Sequence, residues 1–574
     1  MRKTILYIAI YLFATSFSLA QVSLDNENLG FLENLDEQLQ FFTDRDFYLS
    51  GEEVWFTAYV AINNTYGEQE LSEVAYVECF DFGKKKIYKG KFKIKNNTAK
   101  GSFQIPPETL SGNYFIRAYT QYQRNFPPET FSTKTISIIN PEFPLPKQQG
   151  IIDTVKTGIG DPDFTGQDFM DEIRIKLGTD KTSYGNRERV ELNIQVPDVQ
   201  MAGLCVSVIR QGTLRQPEEN SVPVSNEIPG KGSEDVFWVP ETRGVNISGV
   251  VSEENSRQGL GGTNVYLTVL GGNPQFHIAQ TKENGEFVFS LGHIPLTNEI
   301  FIGVKPQKDK ELQLYVNNDF SDKFAVLPNI PFSIDTSDRG LIEEMLVNYQ
   351  SQKVFGPSGT ETLTATHSLN RIFNQPDISV QLSDFIDLKD MKTVFFELIP
   401  TVFIRNKNGG KSIYVANPAT EWVFENELLL LDYVPVFDLD AILAIPTERI
   451  DQVYAMNNTW YLGDNTLRNV VMINSKGQDF AGYDFPNGSI FIDYQTLAPE
   501  TNFKSPNYEN QQGKPSPIPD FRTLLYWNPE LKIAKGDTTL RFYTSDNKGN
   551  YEIIVRGITK NGESCFGRGS IHVQ

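Results

Sequence analysis

Side chains suited to catalysis or metal binding are few in this 574-residue chain and stand far apart. The histidines are His277, His293, His367 and His572. None lies in a His-x-x-Glu or His-Glu-x-x-His arrangement, which would place two zinc ligands on one face of a helix. We therefore predict no zinc chemistry, and we interpret His277 and His293 as exposed turn residues.

Motifs that activate a serine or hold a phosphate are present only as fragments. A serine nucleophile needs Gly-x-Ser-x-Gly, and the nearest segment, Gly562 to Phe566, lacks the second glycine. Gly410-Lys411-Ser412 is similar to the end of a phosphate-binding loop, but Arg405 stands where the first glycine is required. Hairpin turns explain both segments better. We predict no catalytic residue and no cofactor-binding residue.

Two aspartate pairs have oxygens that calcium could use. The pairs are Asp161 with Asp163 and Asp438 with Asp440. Neither lies in a complete Asp-x-Asp-x-Asp-Gly loop. We interpret them as solvated loop acids and predict no metal site. A weak calcium site is left open, because calcium would be abundant around this chain if it is exported.

A run of aromatic residues near the N-terminus could form a platform for carbohydrate or peptide. The run comprises Phe41, Phe42, Phe47, Tyr48, Trp55, Phe56 and Tyr59. Because neighbouring strand residues point to opposite faces, Trp55 and Phe56 cannot both enter one core. We favour a sandwich core or an interdomain contact over a ligand platform.

Composition indicates a folded protein of several β domains. At about 150 residues per domain, one compact domain is excluded. The 40 Phe and 24 Tyr beside 43 Gly and 31 Pro favour strands punctuated by turns. The charge is 52 basic minus 72 acidic residues, or −20, which would repel a polyanion. Nucleic acid is therefore excluded as an expected partner.

The first twenty residues have the pattern of a signal peptide. Arg2 and Lys3 precede an apolar run at 5–14, and Ser18-Leu19-Ala20 is a small-x-small cleavage site. The run is shorter than the roughly 18 residues that span a bilayer. We predict that residues 1–20 are removed and that the mature protein begins at Gln21. The three cysteines, Cys79, Cys205 and Cys565, indicate neither a lipoprotein anchor nor a disulfide framework, so we interpret them as small buried residues.

One segment of the chain occurs twice. Residues 43–56 return as 179–192 at a constant offset of 136, which is 179 minus 43. Thr, Asp, a basic residue, Tyr, Glu and Val recur in order, and each copy continues with apolar residues at every second position. The repeat predicts two domains that open with the same turn and strand.

The first copy and a later strand resemble macroglobulin-like β-sandwich domains of exported bacterial proteins. The opening pattern is matched by Asp44, Arg45, Tyr48, Gly51, Glu52 and Trp55, and the closing pattern by Gly112, Tyr114, Arg117, Ala118 and Tyr119. The resemblance covers 35–140 and extends to 170–240. A macroglobulin protease trap uses a Cys-Gly-Glu-Gln thioester, and no cysteine here precedes a glycine, so covalent trapping is excluded.

Two further domains are expected after the repeat. Short strands around Gly249, Val265 and Phe287, with a predicted hairpin turn at Asn284-Gly285, are similar to a carboxypeptidase regulatory-like sandwich, a module without peptidase chemistry. Helical periodicity follows at 341–349 and at 388–399, the second with Ser383 as its expected cap.

Segments at 428–436, 445–453 and 469–476 resemble, in order, the plug domain of TonB-dependent receptors. Tyr433 and Asn469 stand where that pattern has glycine. Only 98 residues follow Lys476 (574 minus 476), too few for a barrel of more than twenty strands at roughly ten residues each. The plug-like domain is therefore expected to have no barrel of its own. Strand and turn patterns in the tail predict a C-terminal β module.

The complete order is similar to exported multidomain proteins of Gram-negative bacteria. We predict a mainly β chain of tandem β-sandwich domains with one α+β plug-like domain. The expected units are a signal peptide at 1–20, macroglobulin-like sandwiches at 21–145 and 165–240, a carboxypeptidase regulatory-like sandwich at 243–326, a plug-like domain at 330–480 and a β module at 515–574.

The expected function is non-enzymatic binding or scaffolding at the cell envelope. The chain would be exported across the inner membrane to the periplasm, the outer membrane or the cell surface, with no transmembrane segment of its own. Its expected partners are proteins at the outer membrane. The alternative is an accessory subunit of an outer-membrane transporter or secretion pore, which docks its plug-like domain on a separate β-barrel.

Overall fold

The computed structural model describes residues 35–145, 173–215, 237–355, 376–509 and 518–574, with short gaps at 64, 67–69, 272–273, 293–296, 308–309, 329, 386–387, 408–409, 463–464 and 534–535. The predicted signal peptide, His293, His367 and the pair Asp161 and Asp163 lie outside the described residues. Strands in several successive sheets dominate, which confirms the predicted mainly β class with multiple sandwich domains. Within the described ranges, no helix has both the length and the apolarity needed to cross a membrane.

The first sandwich spans residues 35–145. Its strands are β1 (Glu37–Thr43), β2 (Phe47–Leu49), β3 (Glu53–Ile62), β4 (Thr65–Tyr66), β5 (Val74–Asp81), β6 (Lys86–Lys95), β7 (Thr98–Gln104), β8 (Gly112–Thr120) and β9 (Ser132–Ile139). They follow the order β1-β3-β7-β6-β5-β8-β9-β2, with β4 beside β3. Alternate residues of β3, including Val54, Phe56 and Ala58, fill its core, as the two-residue period predicts.

A second sandwich begins at residue 173, but about half of its strands come from a later part of the chain. Its first strands are β10 (Ile173–Arg174), β11 (Lys176–Thr179), β12 (Ser183–Tyr184), β13 (Arg189–Gln195) and β14 (Met201–Arg210). Along β13, Val190, Leu192 and Ile194 are buried and the residues between them are more exposed. This is the alternation of a strand with one face on a core.

The next unit is the inserted sandwich, residues 243–326. Its strands are β15 (Asn246–Glu253), β16 (Asn264–Val269), β17 (Gln275–Gln280), β18 (Glu286–Ser290), β19 (Thr297–Val304) and β20 (Leu312–Val316). They form the sheets β18-β15-β20 and β17-β16-β19. Gly285 has a φ of +83°, as a tight turn requires, but β17 and β18 belong to different sheets. The predicted hairpin at Asn284-Gly285 is therefore a connection between the two layers.

An α+β domain, residues 376–485, follows the long helix α1 (Arg339–Phe355). Its elements are β21 (Ile378–Gln381), α2 (Met391–Leu398), β22 (Val402–Lys407), β23 (Gly410–Ala416), β24 (Val423–Glu425), β25 (Leu428–Leu431), β26 (Val434–Pro435), α3 (Leu439–Leu443), β27 (Ile450–Met456), β28 (Trp460–Leu462), β29 (Asn465–Leu467) and β30 (Val470–Ser475). The main sheet has the order β21-β27-β30-β25-β26. Asp390, and not the predicted Ser383, caps α2 by accepting the Thr393 N–H.

The last strands return to the two earlier sandwiches. They are β31 (Ser489–Gln495), β32 (Leu524–Asn528), β33 (Asp537–Tyr543), β34 (Gly549–Thr559) and β35 (Ser564–Val573). β31 pairs with β19 of the inserted sandwich, while the others complete the sheets β10-β35-β34-β14-β32 and β11-β13-β33. The units that the sequence analysis separates at 165–240 and 515–574 thus share their sheets. We call them together the split sandwich, because β14 has no partner strand from residues 173–215.

Gly51, in the turn between β2 and β3, should tolerate substitution poorly. Its φ is +86°, a conformation that costs a β-branched residue about 1–2 kcal/mol, and an added Cβ would lie 2.3 Å from the Tyr349 hydroxyl. We expect Gly51→Val to lower the free energy of unfolding by about 2 kcal/mol or more in chemical denaturation. Ser50→Ala is the control and should stay near wild type. Equal stability of the two variants would contradict the assignment.

Candidate functional site: buried domain joints and exposed aromatic side chains

The residues suited to metal or nucleophile chemistry serve structural roles. Cys79, Cys205 and Cys565 are buried thiols, as predicted. His277 lies within β17 opposite Leu267, not in an exposed turn, and burial lowers the pKa of its imidazole to about 4. His572 lies in β35 and contacts Asn550. Among the described residues, no three His, Cys, Asp or Glu side chains are grouped to hold a metal.

The other candidate segments also belong to caps and hairpins. Asp438 caps α3 by accepting the Ala441 N–H over 3.0 Å, and Asp440 forms an ion pair with Lys411. Gly410–Ser412 opens β23, the partner of β22. Residues 562–566 join β34 to β35 and begin β35. For Asp438, Asp440 and the two glycine-containing segments, these roles agree with the interpretation of solvated acids and hairpin turns.

The first copy of the repeat forms a buried corner between β1 and β3. The Tyr48 hydroxyl donates to Asp44 Oδ1 over 2.8 Å, and the Trp55 N–H donates to the same oxygen over 3.0 Å. The Arg45 guanidinium lies 3.0 Å from a Glu52 carboxylate oxygen, which also accepts the Leu49 N–H over 2.8 Å. The Asp44 carboxylate therefore joins β2 to β3, and the Glu52 carboxylate joins Leu49 to the Arg45 guanidinium.

The second copy reproduces these bonds residue by residue. The Tyr184 hydroxyl donates to Asp180 Oδ1 over 2.8 Å, and the Glu191 N–H donates to it over 2.9 Å. Lys181 pairs with Glu188, which accepts the Gly185 N–H over 2.6 Å. The predicted shared opening of two domains is therefore a shared hydrogen-bond pattern.

The two corners differ in what covers them. The first is buried by the split sandwich, because the Arg215 N–H donates to Asp46 over 2.7 Å and Arg556 donates to the Thr43 carbonyl. Burial raises the pKa of Asp44 despite its bonds to Arg45 and Tyr48. At the mostly exposed second corner, weak desolvation is outweighed by the hydrogen bonds, and the pKa of Asp180 is lowered. The first corner is thus part of a domain joint.

The aromatic run divides between a core and two interfaces, which confirms the predicted core and interdomain contact. Phe41, Tyr48 and Phe56 fill the first sandwich. A second group packs between the first and split sandwiches, and its members include Phe42, Trp55, Tyr59, Cys205, Ile209 and Trp527. Gly203 makes this contact possible, because a Cβ there would lie 2.1 Å from the Tyr59 ring. Phe47 packs near Met345 of α1.

A buried lysine joins the first sandwich to the inserted sandwich. Lys91 of β6 is 1% exposed, and its Nζ lies 2.6 Å from Asp319 and 2.8 Å from the Tyr494 hydroxyl. Arg124 donates to the backbone carbonyls of Asn318 and Asp319 over 3.0 and 2.7 Å. The segment after β20 is therefore held by cations against β6 and against the 3₁₀ turn that follows β8. Breaking one partner of such a buried pair is strongly destabilising.

Arg117 strengthens the same joint. Its Nε donates to Glu78 over 2.7 Å, and its terminal nitrogen donates to the Ser321 carbonyl over 2.6 Å. The Tyr119 hydroxyl also donates to Glu78. Phe320 sits edge-on to Tyr76, with ring centroids 5.4 Å apart. Charge and aromatic packing thus fix one orientation of the two domains.

Glu241 lies inside this joint, and the burial of its carboxylate is only partly compensated by hydrogen bonds. It is fully buried and accepts bonds from the Tyr76 hydroxyl at 3.0 Å and the Asn246 N–H at 2.6 Å. Its second oxygen has no hydrogen-bond partner among the described residues. Burial raises the pKa of the carboxyl to about 8, although the bond from Asn246 and the charge of Lys91 oppose the rise.

The α+β domain is fused to the inserted sandwich through its central strand. Val471 and Ile473 of β30 enter the domain's own core with α2, while Val470 and Met472 point the other way. That second face packs on Tyr266 and other apolar residues of the inserted sandwich. The strand is buried on both faces, as predicted. Helices cover only one face, because a neighbouring sandwich covers the other.

The tight turn from β25 to β26 is held in a strained conformation. Asp432 and Tyr433 have φ values of +47° and +69°, although neither is glycine. The Asp432 carboxylate accepts the Ser475 N–H over 2.7 Å, and Thr268 of the inserted sandwich donates to the Tyr433 carbonyl over 2.9 Å. A left-handed tyrosine costs about 1–2 kcal/mol. Its contacts with the adjacent domain offset that cost.

The α+β domain also carries exposed aromatic side chains. Phe396 of α2 is 79% exposed, Trp422 before β24 is 66% exposed, and Tyr461 of β28 is 77% exposed. Phe403 of β22 is exposed as well. Exposed aromatic rings are typical of protein-binding surfaces.

Lys91, Glu241 and Asp319 could not be recognised as a cluster from the sequence alone. Lys91 lies in a segment of alternating lysines, which is typical of a solvated strand face. Glu241 and Asp319 lie in irregular segments without a motif. Only the three-dimensional meeting of these distant segments reveals the cluster.

The described fold defines a multidomain β protein with discontinuous domains. No family model matches the sequence. No curated protein matches it either.

Solved structures with some similarity include a Salmonella alpha-2-macroglobulin reacted with methylamine, at 9% identity and a TM-score of 0.23 over 94% of this chain and 39% of that one. The native conformation of E. coli alpha-2-macroglobulin is 10% identical, with a TM-score of 0.24 over 94% of this chain and 40% of that one. A tetra-tandem repeat of a large adhesion protein is 7% identical, with a TM-score of 0.12 over 94% of this chain and 100% of that one. This chain spans about two fifths of the length of the macroglobulins. Likenesses this distant assign neither a family nor a function.

Proposed function

We propose that the chain is a non-enzymatic exported envelope protein that binds or scaffolds protein partners through its β-sandwich and plug-like domains. The observation that carries the proposal is the contrast between the buried contacts that join the domains and the aromatic side chains that remain exposed. Ion pairs and apolar clusters close the joints between the domains, whereas the α+β domain keeps exposed aromatic rings. A fixed frame that presents aromatic anchors suits the recognition of another protein.

The second candidate is an accessory subunit that docks on a separate outer-membrane β-barrel. The order of the segments at 428–436, 445–453 and 469–476, which resembles a plug, favours it. Entry into a barrel would separate β30 from the inserted sandwich and expose Val470 and Met472 to solvent. In this candidate the contact therefore involves the exposed aromatic residues of the domain and the rim of the barrel.

In-cell photo-crosslinking tests both candidates. A photoreactive residue replaces Trp422 or Phe396, and the control position is Val288, 37% exposed on β18. We expect one envelope protein to be crosslinked at the two aromatic positions and not at Val288. A β-barrel in that adduct would favour the docking subunit. An equal pattern at all three positions would contradict a partner surface on this domain.

A further inference from the structure

One lysine and one aspartate meet inside the joint between the first and inserted sandwiches. Lys91 of β6 is the only buried lysine among the described residues, and its side chain is 1% exposed. The side chain of Asp319 is 10% exposed, and the Lys91 Nζ lies 2.6 Å from its Oδ2. Because a carboxylate C–O bond is about 1.2 Å long, Asp319 Cγ lies within about 4 Å of that nitrogen. This separation is close to the roughly 3–3.5 Å from which held groups react.

Backbone hydrogen bonds hold both residues in place. The Ala498 N–H donates to the Lys91 carbonyl over 2.7 Å, which ties β6 to the segment after β31. The Asp319 carbonyl accepts from Arg124 over 2.7 Å. Folding therefore brings the two side chains together before any reaction between them, which removes the entropy cost of a bimolecular encounter.

Tyr494 of β31 connects the amine to the carboxyl group. Its hydroxyl accepts from the Lys91 Nζ over 2.8 Å and bonds to Asp319. Burial and the charge of Asp319 raise the pKa of Tyr494 well above its ordinary value of 10, so the hydroxyl keeps its proton and can donate it. A hydroxyl in contact with both groups can relay a proton between them.

The surroundings favour the neutral form of the amine. Burial lowers the pKa of Lys91, although the charge of Asp319 opposes the change. A charged Glu241 would hold the ammonium form, but burial raises the pKa of this carboxyl to about 8. The neutral amine is the nucleophilic form of lysine, and desolvation is a usual way to obtain it.

We propose that Lys91 and Asp319 condense into an amide, an intramolecular isopeptide bond that joins the two sandwiches covalently. The Lys91 ammonium first transfers a proton to Asp319, which leaves a neutral amine beside a neutral carboxyl group. The Nζ lone pair then forms a bond to Cγ, and one Cγ–O bond breaks. The departing hydroxyl takes one proton from Nζ through Tyr494 and leaves as water. No oxidant, reductant or further reactant is needed.

The environment favours the amide over the ion pair. A buried ion pair carries the desolvation penalty of two charges, whereas an amide is neutral. The Lys91 Nζ lies 4.0 Å from the centroid of the Tyr494 ring, 5.9 Å from that of Phe320 and 6.0 Å from that of Tyr76. An aromatic site of this kind excludes water, which opposes hydrolysis of the bond.

Two other lysine–carboxylate pairs of the first sandwich lack these features. Lys86 contacts Glu78, but the lysine side chain is 25% exposed, and Arg117 binds the same carboxylate. Lys100 pairs with Glu530 over 2.9 Å, but the lysine side chain is 42% exposed. A hydrated ammonium has no lone pair with which to attack, so no bond is expected at either pair.

Mass spectrometry of the full chain tests the bond. We expect an intact mass lower by one water than that of the sequence counted from its measured N-terminus. Trypsin does not cleave after an acylated lysine, so digestion of the unfolded protein should give residues 90–93 joined to residues 311–323. Tandem spectra should place the link between Lys91 and Asp319. The exposed pair of Lys100 and Glu530 is the internal control and should stay unlinked.

Two variants test the roles of the side chains. Lys91→Arg keeps a cation but has no amine, so its mass should equal that of its sequence and no joined peptide should form. Tyr494→Phe keeps the ring and removes the hydroxyl, so the joined peptide should fall about tenfold or more in protein collected at the same time after synthesis. Tyr461→Phe removes an exposed hydroxyl on β28, and as the control it should match wild type.

The wild-type protein decides the proposal, whether or not a variant folds. An intact mass equal to that of the sequence, with cleavage after Lys91, would overturn it. A lost water that maps to other residues, or an equally abundant link between Lys100 and Glu530, would overturn it as well. An unchanged amount of joined peptide in Tyr494→Phe would contradict the proton relay. None of these results bears on the exposed rings of the α+β domain, so the proposed partner surface is tested separately.

Discussion

Val471→Asp is expected to unfold the α+β domain and to leave the first sandwich intact. Val471 is fully buried at the centre of the main sheet, between its partners Leu429 and Ala455. An unpaired carboxylate there costs several kcal/mol or is forced to protonate. Limited proteolysis should therefore cleave the chain within 376–485, while residues 35–145 stay resistant. Calorimetry should show the loss of one unfolding transition.

The matched control is Val423→Asp in the same domain. Val423 is 43% exposed on β24, so its carboxylate stays hydrated and should change stability by less than about 1 kcal/mol. Equal protease resistance of Val471→Asp and Val423→Asp would mean that β30 is open to solvent. The assignment of a two-sided buried strand would then fail.

Glu241→Gln should remove a pH-dependent loss of stability from the joint between the first and inserted sandwiches. The folded-state pKa of Glu241 is raised from 4.5 to about 8 by burial. The folded state therefore binds this proton more tightly than the unfolded state does. The resulting contribution to the free energy of unfolding is complete below pH 4.5 and is lost as the pH rises through 8. The difference of about 3.5 pKa units corresponds to at most roughly 5 kcal/mol across that window.

The neutral glutamine keeps the shape of the side chain and has no charge to bury. We expect equal stability of wild type and variant below pH 4.5, and a more stable variant above pH 8, in chemical denaturation followed over that range. The exposed Glu283→Gln should run parallel to wild type at every pH. A Glu241→Gln curve that also runs parallel would show that this carboxyl does not titrate in the window.

Local patterns in the sequence were sufficient to predict local structure. The repeat at 43–56 and 179–192 predicts two equivalent corners because each hydrogen bond joins residues at most eleven positions apart. The neighbouring apolar residues Val470 and Val471 likewise predict a strand buried on both faces. In these cases the interacting groups, or the burial they need, are written within a short segment.

Partners distant in sequence could not be predicted in the same way. The alternation along β13 indicates a strand with one buried face, but nothing in it selects β33, about 350 residues away, as its neighbour. The same limit applies to Lys91, whose partners Asp319 and Tyr494 lie more than 200 positions further along. The predicted cap of α2 was wrong by a few residues, because Asp390 and not Ser383 caps the helix. The exact start of a helix is difficult to predict from sequence.

The split sandwich has a consequence for the order in which the chain becomes structured during synthesis. β14 is made more than 300 residues before β32 and β34, the strands that flank it. Closing so long a loop makes this pairing slow compared with the local hairpins. Until β32 and β34 are made, β14 lacks its partner strands, and its apolar side chains can contact other chains. A chain that is interrupted before residue 549 therefore cannot complete this sheet.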